Sequence, residues 1–343
     1  MAIKSSNKQQ ILVTGGAGFI GSHLIRLWLE MDRNVSIVNL DKLTYCGDIS
    51  RLQEIESNPR YRFFQGDICD TQHVKRAMEG CSAVVHLAAE THVDRSLLDG
   101  KTFLDTNIDG TYTLLEEARK RNIGRFLFVS TDEVYGSRPK GFFKENDPVN
   151  PSSPYSVSKT AADLLALSYA HTYQMPVVVT RGSNTFGPYQ YPEKVIPLFV
   201  SNALSDEPLP LYGDGLQVRN WMHAEDHARG IIQVFKKGKV GEAYNVSTPF
   251  YLTNIDLTRR ILNILGKPSS LIKKVTDRLG HDRRYAIDPS KIKKIGWKAS
   301  PAFDKSLRET VLWYKENKAW WQAIKGKKED FKAYYAKTYQ DKV

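Results

Sequence analysis

The stretch VTGGAGFIGSHLI, residues 13–25, decides the fold, because it joins a predicted strand to a predicted helix through a glycine-rich turn. Glycines stand at positions 15, 18 and 21, and the apolar residues that follow recur at helical intervals. Glycine lets the backbone approach a pyrophosphate closely, and the start of the helix offers it unpaired N–H groups. A tight turn without a ligand is the alternative, and the surrounding sequence decides between them.

That surrounding sequence indicates a dinucleotide. The second predicted strand ends at Asp41, where a carboxylate can bond both ribose hydroxyls of NAD and repel the 2′-phosphate of NADP, although Lys42 weakens that preference slightly. Asp67, at the end of the third predicted strand, is suited to contact the adenine. We therefore expect bound NAD, with a site formed by these two acids and by Gly15, Gly18, Phe19, Ile20, Gly21 and Ile68.

The first two-thirds of the chain alternates apolar runs with helical patterns, which predicts an α/β fold. The runs lie at residues 11–15, 34–41, 61–67, 83–89, 125–131 and 176–182. Strands that alternate with helices pair in parallel through right-handed crossovers, giving a Rossmann-type doubly wound sheet. Prolines punctuate the later sequence, so we expect an NAD-binding domain at 1–185 and a smaller, mostly C-terminal substrate lobe at 186–343, with the chain returning to the sheet around 223–250.

The composition is that of a globular protein, with 41% hydrophobic and 25% charged residues among 343. No apolar run reaches the roughly eighteen residues of a membrane span, and the polar start MAIKSSNKQQ is not a secretory signal. Cys46, Cys69 and Cys81 are too few and too scattered for a disulfide framework or a paired-cysteine metal site. We expect a cytoplasmic protein without a membrane partner.

Charge and histidine content exclude other classes of site. The net charge is +11, and much of the excess lies toward the C-terminus. A nucleic-acid surface is one interpretation, but no zinc-finger or RNA-binding motif accompanies the charge, so a solvated surface is favoured. His223 and His227 are four residues apart without a third ligand, so we expect no metal.

Two neighbouring acids end the fifth predicted strand. The stretch STDEVYG, residues 130–136, places Thr131, Asp132 and Glu133 directly after the apolar run RFLFV. Adjacent strand residues point to opposite faces, so both acids can serve one substrate only if the strand ends or bends here, which Gly136 permits. An exposed acidic turn is the alternative. Like charges in one cleft are how enzymes separate an acid from a base, so we interpret the pair as catalytic.

A tyrosine and a lysine follow at helical spacing in PYSVSK, residues 154–159. Tyr155 and Lys159 share one helix face, where an ammonium group would favour the phenolate and make the tyrosine a usable base. Tyr314 and Lys318 repeat the spacing in a charged helix near the C-terminus. Because only the first pair follows the dinucleotide-binding pattern closely, we assign the catalytic role to Tyr155 and Lys159.

Together these motifs resemble the extended short-chain dehydrogenase/reductases. The stretches LDKLTYCGD, AAETHVDRS, STDEVYG, SPYSVSK, PYQYPEKVIPL, YGDGLQVRNWMHAEDHARG and GHDRRYAID are similar to the nucleotide-sugar 4,6-dehydratases within them, over about residues 10–320. The resemblance implies a hydro-lyase that oxidises C4 of a hexose, removes water across C5–C6 and returns hydride to C6. In that reaction Tyr155 would be the first base, and Thr131 would hold the C4 oxygen. Glu133 would remove the C5 proton, and Asp132 would protonate the leaving 6-hydroxyl.

The resemblance also implies binding residues and a partner. Thr106 and Asn107 would support the cofactor. The nucleotide-diphosphate hexose would be held by Thr91, His92, Asn184, Arg219, Asn245, Arg278 and His281. Arginine suits the diphosphate because its planar fork offers paired donors. A homodimer would form through the Tyr155 helix and the helix near residues 111–121.

The donor stays open in the sequence. We expect dTDP-glucose, with UDP-glucose or UDP-N-acetylglucosamine as alternatives, because base selection depends on the shape of the pocket. A non-catalytic NAD-binding protein is a further alternative. Such a protein would have no use for Tyr155, Lys159, Asp132 and Glu133 together.

Overall fold

A computed structural model describes residues 8–300 and 302–327, together with Phe331, Ala333, Tyr335, Thr338 and Tyr339. Residues 1–7 and most of the basic C-terminal end lie outside this range. The strands are β1 Gln9–Thr14, β2 Val35–Asp41, β3 Tyr61–Gln65, β4 Ala83–His86, β5 Arg125–Thr131, β6 Val177–Gly182, β7 Asn184–Phe186, β8 Leu209–Tyr212, β9 Val218–His223, β10 Ala243–Val246, β11 Tyr251–Thr253 and β12 Ile272–Val275.

Helices connect most of these strands. They are α1 Phe19–Met31, α2 Thr71–Ala77, α3 Val93–Leu98, α4 Gly100–Leu104, α5 Gly110–Lys120, α6 Pro154–Tyr173, α7 Val195–Leu204, α8 Ala224–Lys237, α9 Asn254–Leu265, α10 Ser290–Lys294, α11 Phe303–Glu316 and α12 Lys318–Lys327. Short 3₁₀ turns lie at Ile49–Ile55, Asp132–Tyr135 and Ser269–Leu271, and a π-helical turn lies at Asp105–Asp109.

The main sheet has seven parallel strands in the order β10-β6-β5-β4-β1-β2-β3. Both faces are covered, which explains why its strands read as nearly continuous apolar runs. On one face α1 and α8 pack together through Trp28 and Phe235, whose rings are 4.9 Å apart and edge to face. On the other face α2, α5 and α6 bury residues such as Leu114 and Ala162. The predicted doubly wound fold is confirmed.

The second lobe is smaller and surrounds its own core. Two short sheets, β11-β9-β7 and β12-β8, pack with α7, α9 and α11 around residues such as Phe199, Leu257 and Val311. The division at residue 185 stays a prediction, and the main sheet itself includes β10 from the later sequence. Residues Ile292 and Trp297 also pack against the core of the main sheet.

The described part of the chain offers neither a membrane-spanning helix nor a cluster of metal ligands. No helix there is long and apolar enough to cross a membrane. Among the same residues, no group of three or more histidine, cysteine or acidic side chains is placed to hold a metal ion.

Candidate active site

The glycine-rich turn after β1 forms a narrow cradle. Gly15 has φ +72°, and a Cβ atom there would lie 2.6 Å from the Ala88 nitrogen. A Cβ on Gly21 would lie 2.2 Å from the Gly15 carbonyl oxygen. The first residue of α1 follows Gly18, which caps the helix without any side-chain hydrogen bond. The N–H groups at the start of α1 can therefore face a pyrophosphate, as a bound dinucleotide requires.

The two acids predicted for the cofactor stand at the carboxyl ends of β2 and β3. Asp41 is buried and accepts hydrogen bonds from the backbone N–H groups of Ala17 and Leu43, both at 2.9 Å. These bonds fix the carboxylate against the glycine-rich turn. Asp67 pairs with Lys42 at 2.7 Å, so Lys42 neutralises Asp67 rather than standing free beside Asp41. The arrangement suits the hydroxyls of an unphosphorylated ribose.

A cavity of about 300 Å³ extends from this cradle along the carboxyl edge of the sheet. This first cavity is lined by all the predicted cofactor residues except Asn107, namely Gly15, Gly18, Phe19, Ile20, Gly21, Asp41, Asp67, Ile68, Tyr155 and Lys159. Thr131, Asp132 and Glu133 also line it. The residues thus fit NAD, whose hydride-accepting end would lie next to the predicted acid and base.

The paired acids reach one site because β5 ends at Thr131. A 3₁₀ turn begins at Asp132, so the alternation of side chains along the strand stops there. The Thr131 hydroxyl caps this turn by accepting the Glu133 backbone N–H at 3.3 Å, and it donates weakly to Asp132 at 3.4 Å. Gly136 closes the turn with φ +71°. The condition set by the sequence, a strand that ends at this point, is met, because both acids follow the last residue of β5.

The environment of each acid shifts its proton affinity. Burial, followed by the charge of Glu133, raises the pKa of Asp132 to about 8. Its Oδ2 atom is buried without a hydrogen-bond partner. Burial also raises the pKa of Glu133, but Arg278, Arg219 and Lys194 oppose that shift. Asp132 is therefore suited to be the acid and Glu133 the base, as the sequence predicts.

Tyr155 and Lys159 lie where the helical spacing predicts, in the first turns of α6. A capping box between Ser153 and Ser156 begins this helix, with Pro154 in its first turn. Lys159 donates to the Val129 carbonyl oxygen at 2.8 Å and is almost fully buried. Both side chains line the first cavity beside Thr131.

The expected effect of Lys159 on Tyr155 is not observed. Burial, then the charges of Glu133 and Asp132, raises the pKa of Tyr155, while a hydrogen bond with Thr131 opposes the rise. Burial lowers the pKa of Lys159 to about 7. The reason is that Lys159 gives up solvation on burial, a loss that the charge of Asp163 offsets only in part. We therefore correct the expectation: in this structure the lysine does not depress the pKa of the tyrosine.

A second cavity of about 170 Å³ adjoins the first and extends into the smaller lobe. Arg219 of β9 and Arg278 line it, both with little exposed surface. Arg219 is held by the carbonyl oxygens of Val218 and Asp282, at 2.9 Å each, and lies over the Tyr285 ring. Arg278 has a distant ion pair with Asp94 at 3.8 Å, and its Nε atom has no hydrogen-bond partner. Two adjacent guanidinium groups suit a diphosphate.

The remaining predicted substrate residues divide into two groups. Thr91 and Asn184 line both cavities, while His92 and His281 line the second. His281 donates a 2.6 Å hydrogen bond to the Asp277 carboxylate, and burial, followed by the charge of Arg278, lowers the pKa of His281 to about 4. These four side chains are placed as the prediction requires.

Asn107 and Asn245 are buried and line neither of these two cavities, so their binding roles stay predictions. Asn245 is fully buried in β10, where it accepts a hydrogen bond from the Tyr135 hydroxyl at 2.9 Å and donates to the Phe143 carbonyl oxygen at 3.0 Å. Asn107, in the π-helical turn, bonds the backbone of Glu90 through both amide atoms and donates to Ser158. It positions the Glu90 loop against α6, whereas Thr106 beside it lines the first cavity.

Four polar residues are among the cavity residues that sequence reasoning missed. Glu193 and Lys194 line both cavities, and Asn254 and Tyr285 line the second. Glu193 accepts hydrogen bonds from Tyr45 at 2.7 Å and from Arg95 at 2.8 Å. The motif PYQYPEKVIPL contained a signal for Glu193 and Lys194, because this charged pair interrupts a largely apolar segment just before α7.

Comparison with known proteins identifies the family. Residues 12–310 match the family model described as GDP-mannose 4,6 dehydratase. A dTDP-glucose 4,6-dehydratase of Streptomyces niveus is 46% identical over 93% of this chain and 97% of its own length, and one of Escherichia coli is 44% identical over 92% and 96%.

Similar solved structures belong to the same group of enzymes as these relatives. The dTDP-glucose 4,6-dehydratase DesIV of Streptomyces venezuelae, solved with NAD bound, is 46% identical and superposes with a TM-score of 0.90 over 92% of this chain and all of its own. The Bacillus anthracis enzyme, in complex with NAD, is 45% identical with a TM-score of 0.86 over 92% of this chain and 99% of its own. The chain therefore belongs to the nucleotide-sugar 4,6-dehydratases of the extended short-chain dehydrogenase/reductase superfamily.

Proposed function

We propose that this protein is an NAD-dependent dTDP-glucose 4,6-dehydratase that forms the 4-keto-6-deoxy sugar. The observation that carries the proposal is the junction of the two cavities. Glu133 lines both of them, and Asp132 and Tyr155 line the first beside it. A hexose reaching from the diphosphate site to the cofactor would place its C4, C5 and C6 atoms among these three side chains. The similarity to dTDP-glucose dehydratases supports the choice of donor.

The residues divide the chemistry among them. Bound NAD would accept hydride from C4 and later return it to C6. Tyr155 takes the O4 proton, with Thr131 beside it, and the resulting C4 ketone makes the C5 proton acidic. Glu133 removes that proton, and protonated Asp132 gives its proton to the 6-hydroxyl, which leaves as water. Glu133 then returns a proton to C5.

The donor is tested by direct comparison. Purified protein is incubated separately with dTDP-glucose, UDP-glucose and UDP-N-acetylglucosamine, and the 4-keto-6-deoxy product is measured by its strong absorbance in alkali. We expect turnover of dTDP-glucose to exceed that of the other two. A preference for either UDP-sugar would overturn the donor, and no turnover of any of them would favour a non-catalytic NAD-binding protein.

We also infer a homodimer that forms through α5 and α6. Large apolar side chains are exposed on both helices, which pack into the same core cluster: Tyr112 on α5 is 52% exposed, and Val157 and Leu164 on α6 are 45% and 49% exposed. The last two are seven residues apart and so share one helix face. We expect Leu164→Lys to convert the dimer to a monomer in light scattering, whereas Leu279→Lys, at an exposed loop, should not. An unchanged mass for both variants would exclude this interface.

We further infer a cytoplasmic location. The support is that Cys46, Cys69 and Cys81 are all free thiols. Fractionation of the source cells with an antibody would test it, since recovery outside the cytoplasmic fraction would contradict the inference.

A further inference from the structure

A row of polar side chains leads from Glu133 to the surface of the protein. Tyr285 lines the second cavity together with Glu133, and its hydroxyl lies 3.5 Å from Oε2 of Glu133. The same hydroxyl donates to Oδ2 of Asp282 at 2.8 Å, and the Ser152 hydroxyl donates to that Oδ2 atom too. Tyr285 is only 3% exposed, Asp282 is half-buried and Ser152 is exposed. The row therefore joins the cavity wall to solvent.

The lengths of the two Tyr285 contacts decide which way its proton points. A hydroxyl has one proton, and the 2.8 Å contact assigns it to Asp282, whereas 3.5 Å to Glu133 exceeds the usual length of an O–H···O hydrogen bond. Tyr285 thus turns an oxygen lone pair toward Glu133. A protonated Glu133 carboxyl group can donate to that lone pair, and contacts of this kind tighten once substrate is bound.

The surroundings of Asp282 and Tyr285 suit the passage of a proton. Arg219 lies over the Tyr285 ring at 4.1 Å and donates to the backbone carbonyl oxygen of Asp282. The carboxylate Oδ2 of Asp282 is held instead by two hydroxyl groups, which both donate and accept, whereas a guanidinium group only donates. Burial, then the charge of Glu133, raises the pKa of Tyr285 well above its ordinary value. Tyr285 therefore stays neutral and passes one proton on as it receives another.

We propose that Tyr285 and Asp282 form a path along which the proton on Glu133 exchanges with solvent while the hexose is bound. The proposal rests on the proposed function, because that function makes Glu133 the base that removes the C5 proton. A hexose that reaches from the diphosphate site to the cofactor would fill the cavity beside Glu133. Exchange during the reaction then needs a route through the protein.

The transfers along this path balance. Glu133 gives the proton taken from C5 to the Tyr285 oxygen, the Tyr285 hydroxyl gives its own proton to Asp282, and Asp282 releases a proton to water beside Ser152. The reverse transfers bring a solvent proton to Glu133, which returns it to C5. One proton leaves and one enters, and no electrons are moved.

The hydrogen at C5 of the product tests the path. The NAD-loaded protein converts ordinary nucleotide sugar in heavy water, the product is reduced at once with borohydride to prevent later exchange, and NMR measures deuterium at C5. We expect mostly deuterium with the wild-type protein. Tyr285→Phe keeps the ring beneath Arg219 but removes the hydroxyl. The ratio of deuterium to hydrogen should then fall by at least about tenfold, since one proton-transfer group contributes about 10²–10⁴-fold.

A second variant and a control complete the test. Asp282→Asn, whose amide cannot take the proton, should lower the ratio as Tyr285→Phe does. Tyr251→Phe makes the same chemical change at a hydroxyl that contacts the Ile287 carbonyl oxygen at 3.4 Å, and it should leave the ratio unchanged. The ratio is read from whatever product forms, so the test does not require an unchanged rate.

The outcomes separate the path from the proposed function. If Tyr285 and Asp282 had only a structural role, their variants would change KM or kcat but leave the ratio at its wild-type value, and that result would overturn the path alone. Wild-type product that keeps its original C5 hydrogen would overturn it as well. If no 4-keto-6-deoxy product formed from dTDP-glucose or from either UDP-sugar, the proposed function would be wrong, and the path with it.

Discussion

Asp132 should control the alkaline side of the pH–rate profile. Its pKa is raised to about 8 by burial and by Glu133, so the carboxyl group is mostly protonated at neutral pH. With that pKa, the protonated fraction is about nine-tenths at pH 7 and about one-tenth at pH 9. Because only the protonated form can supply a proton to the 6-hydroxyl, kcat should fall about tenfold over this interval.

Asp132→Asn removes the group and should remove this limb of the profile. The remaining rate should be lower than that of the wild-type protein by about 10²–10⁴-fold, since general acid catalysis is lost. Product formation is measured by absorbance in alkali at intervals from pH 6.5 to 9.5, and exchange of solvent deuterium into C5 is followed in parallel. Exchange should persist in the variant. An alkaline limb of the same midpoint in Asp132→Asn would refute the assignment of the acid.

The same pKa shift has a consequence for stability. A carboxyl group whose pKa is raised on folding binds its proton more tightly in the native state than in the unfolded state. The contribution of Asp132 to the free energy of unfolding is therefore fully present below the unfolded-state pKa of 3.8. It is lost as the pH rises toward 8. Asp132→Asn should therefore raise the melting temperature relative to the wild-type protein more at pH 8.5 than at pH 5. A difference independent of pH would contradict the shift.

Four further substitutions separate the remaining roles. Tyr155→Phe should abolish NADH formation on addition of substrate, followed by absorbance, and a normal NADH signal would remove Tyr155 from the first step. Glu133→Gln should accumulate NADH in a single turnover without product and without deuterium at C5, whereas turnover near the wild-type rate would mean that Glu133 is not the base. Asp41→Ala should lower the NAD content of the purified protein and relax discrimination against NADP, and unchanged cofactor content and preference would exclude its ribose contact. Arg219→Ala should raise KM, because the loss of one charged hydrogen bond weakens the binding free energy by about 1.5–3 kcal/mol. An unchanged affinity for dTDP would mean that the arginine has a structural role.

The fold could be predicted from the sequence because its strands are buried on both faces. The run RFLFVST coincides with β5, and PVVVTRG differs from β6 by a single residue. The acids at the end of β5 were also predictable, since two carboxylates directly after a buried strand have few structural uses. Local patterns of this kind depend only on neighbouring residues.

Side-chain direction in the later part of the chain could not be predicted in the same way. Asn245 lies in β10 of the main sheet, whereas Asn254 follows β11 of the smaller lobe. The first points into a buried layer with Tyr135 and Phe143, and the second begins α9 at the cavity. The direction of Asn245 is set by the register of β10 against β6, and that register depends on residues far apart in the chain.

The C-terminal sequence was interpreted as a solvated basic surface because of its lysines. The aromatic residues among them, four apart at Phe331, Tyr335 and Tyr339, carried the opposite signal. Amphipathic spacing, rather than net charge, indicates whether such a segment packs against the protein.

The late strand β10 has a consequence for synthesis on the ribosome. Its partner β6 emerges about 60 residues earlier, and until β10 arrives β6 is an open sheet edge able to pair with another chain. Trp28 likewise stays uncovered until α8 has been made. The nascent NAD-binding domain therefore cannot reach its final form before β10, at Ala243–Val246, has been translated. A fragment that ends near residue 186 should aggregate, and the two lobes should be recoverable only as one chain.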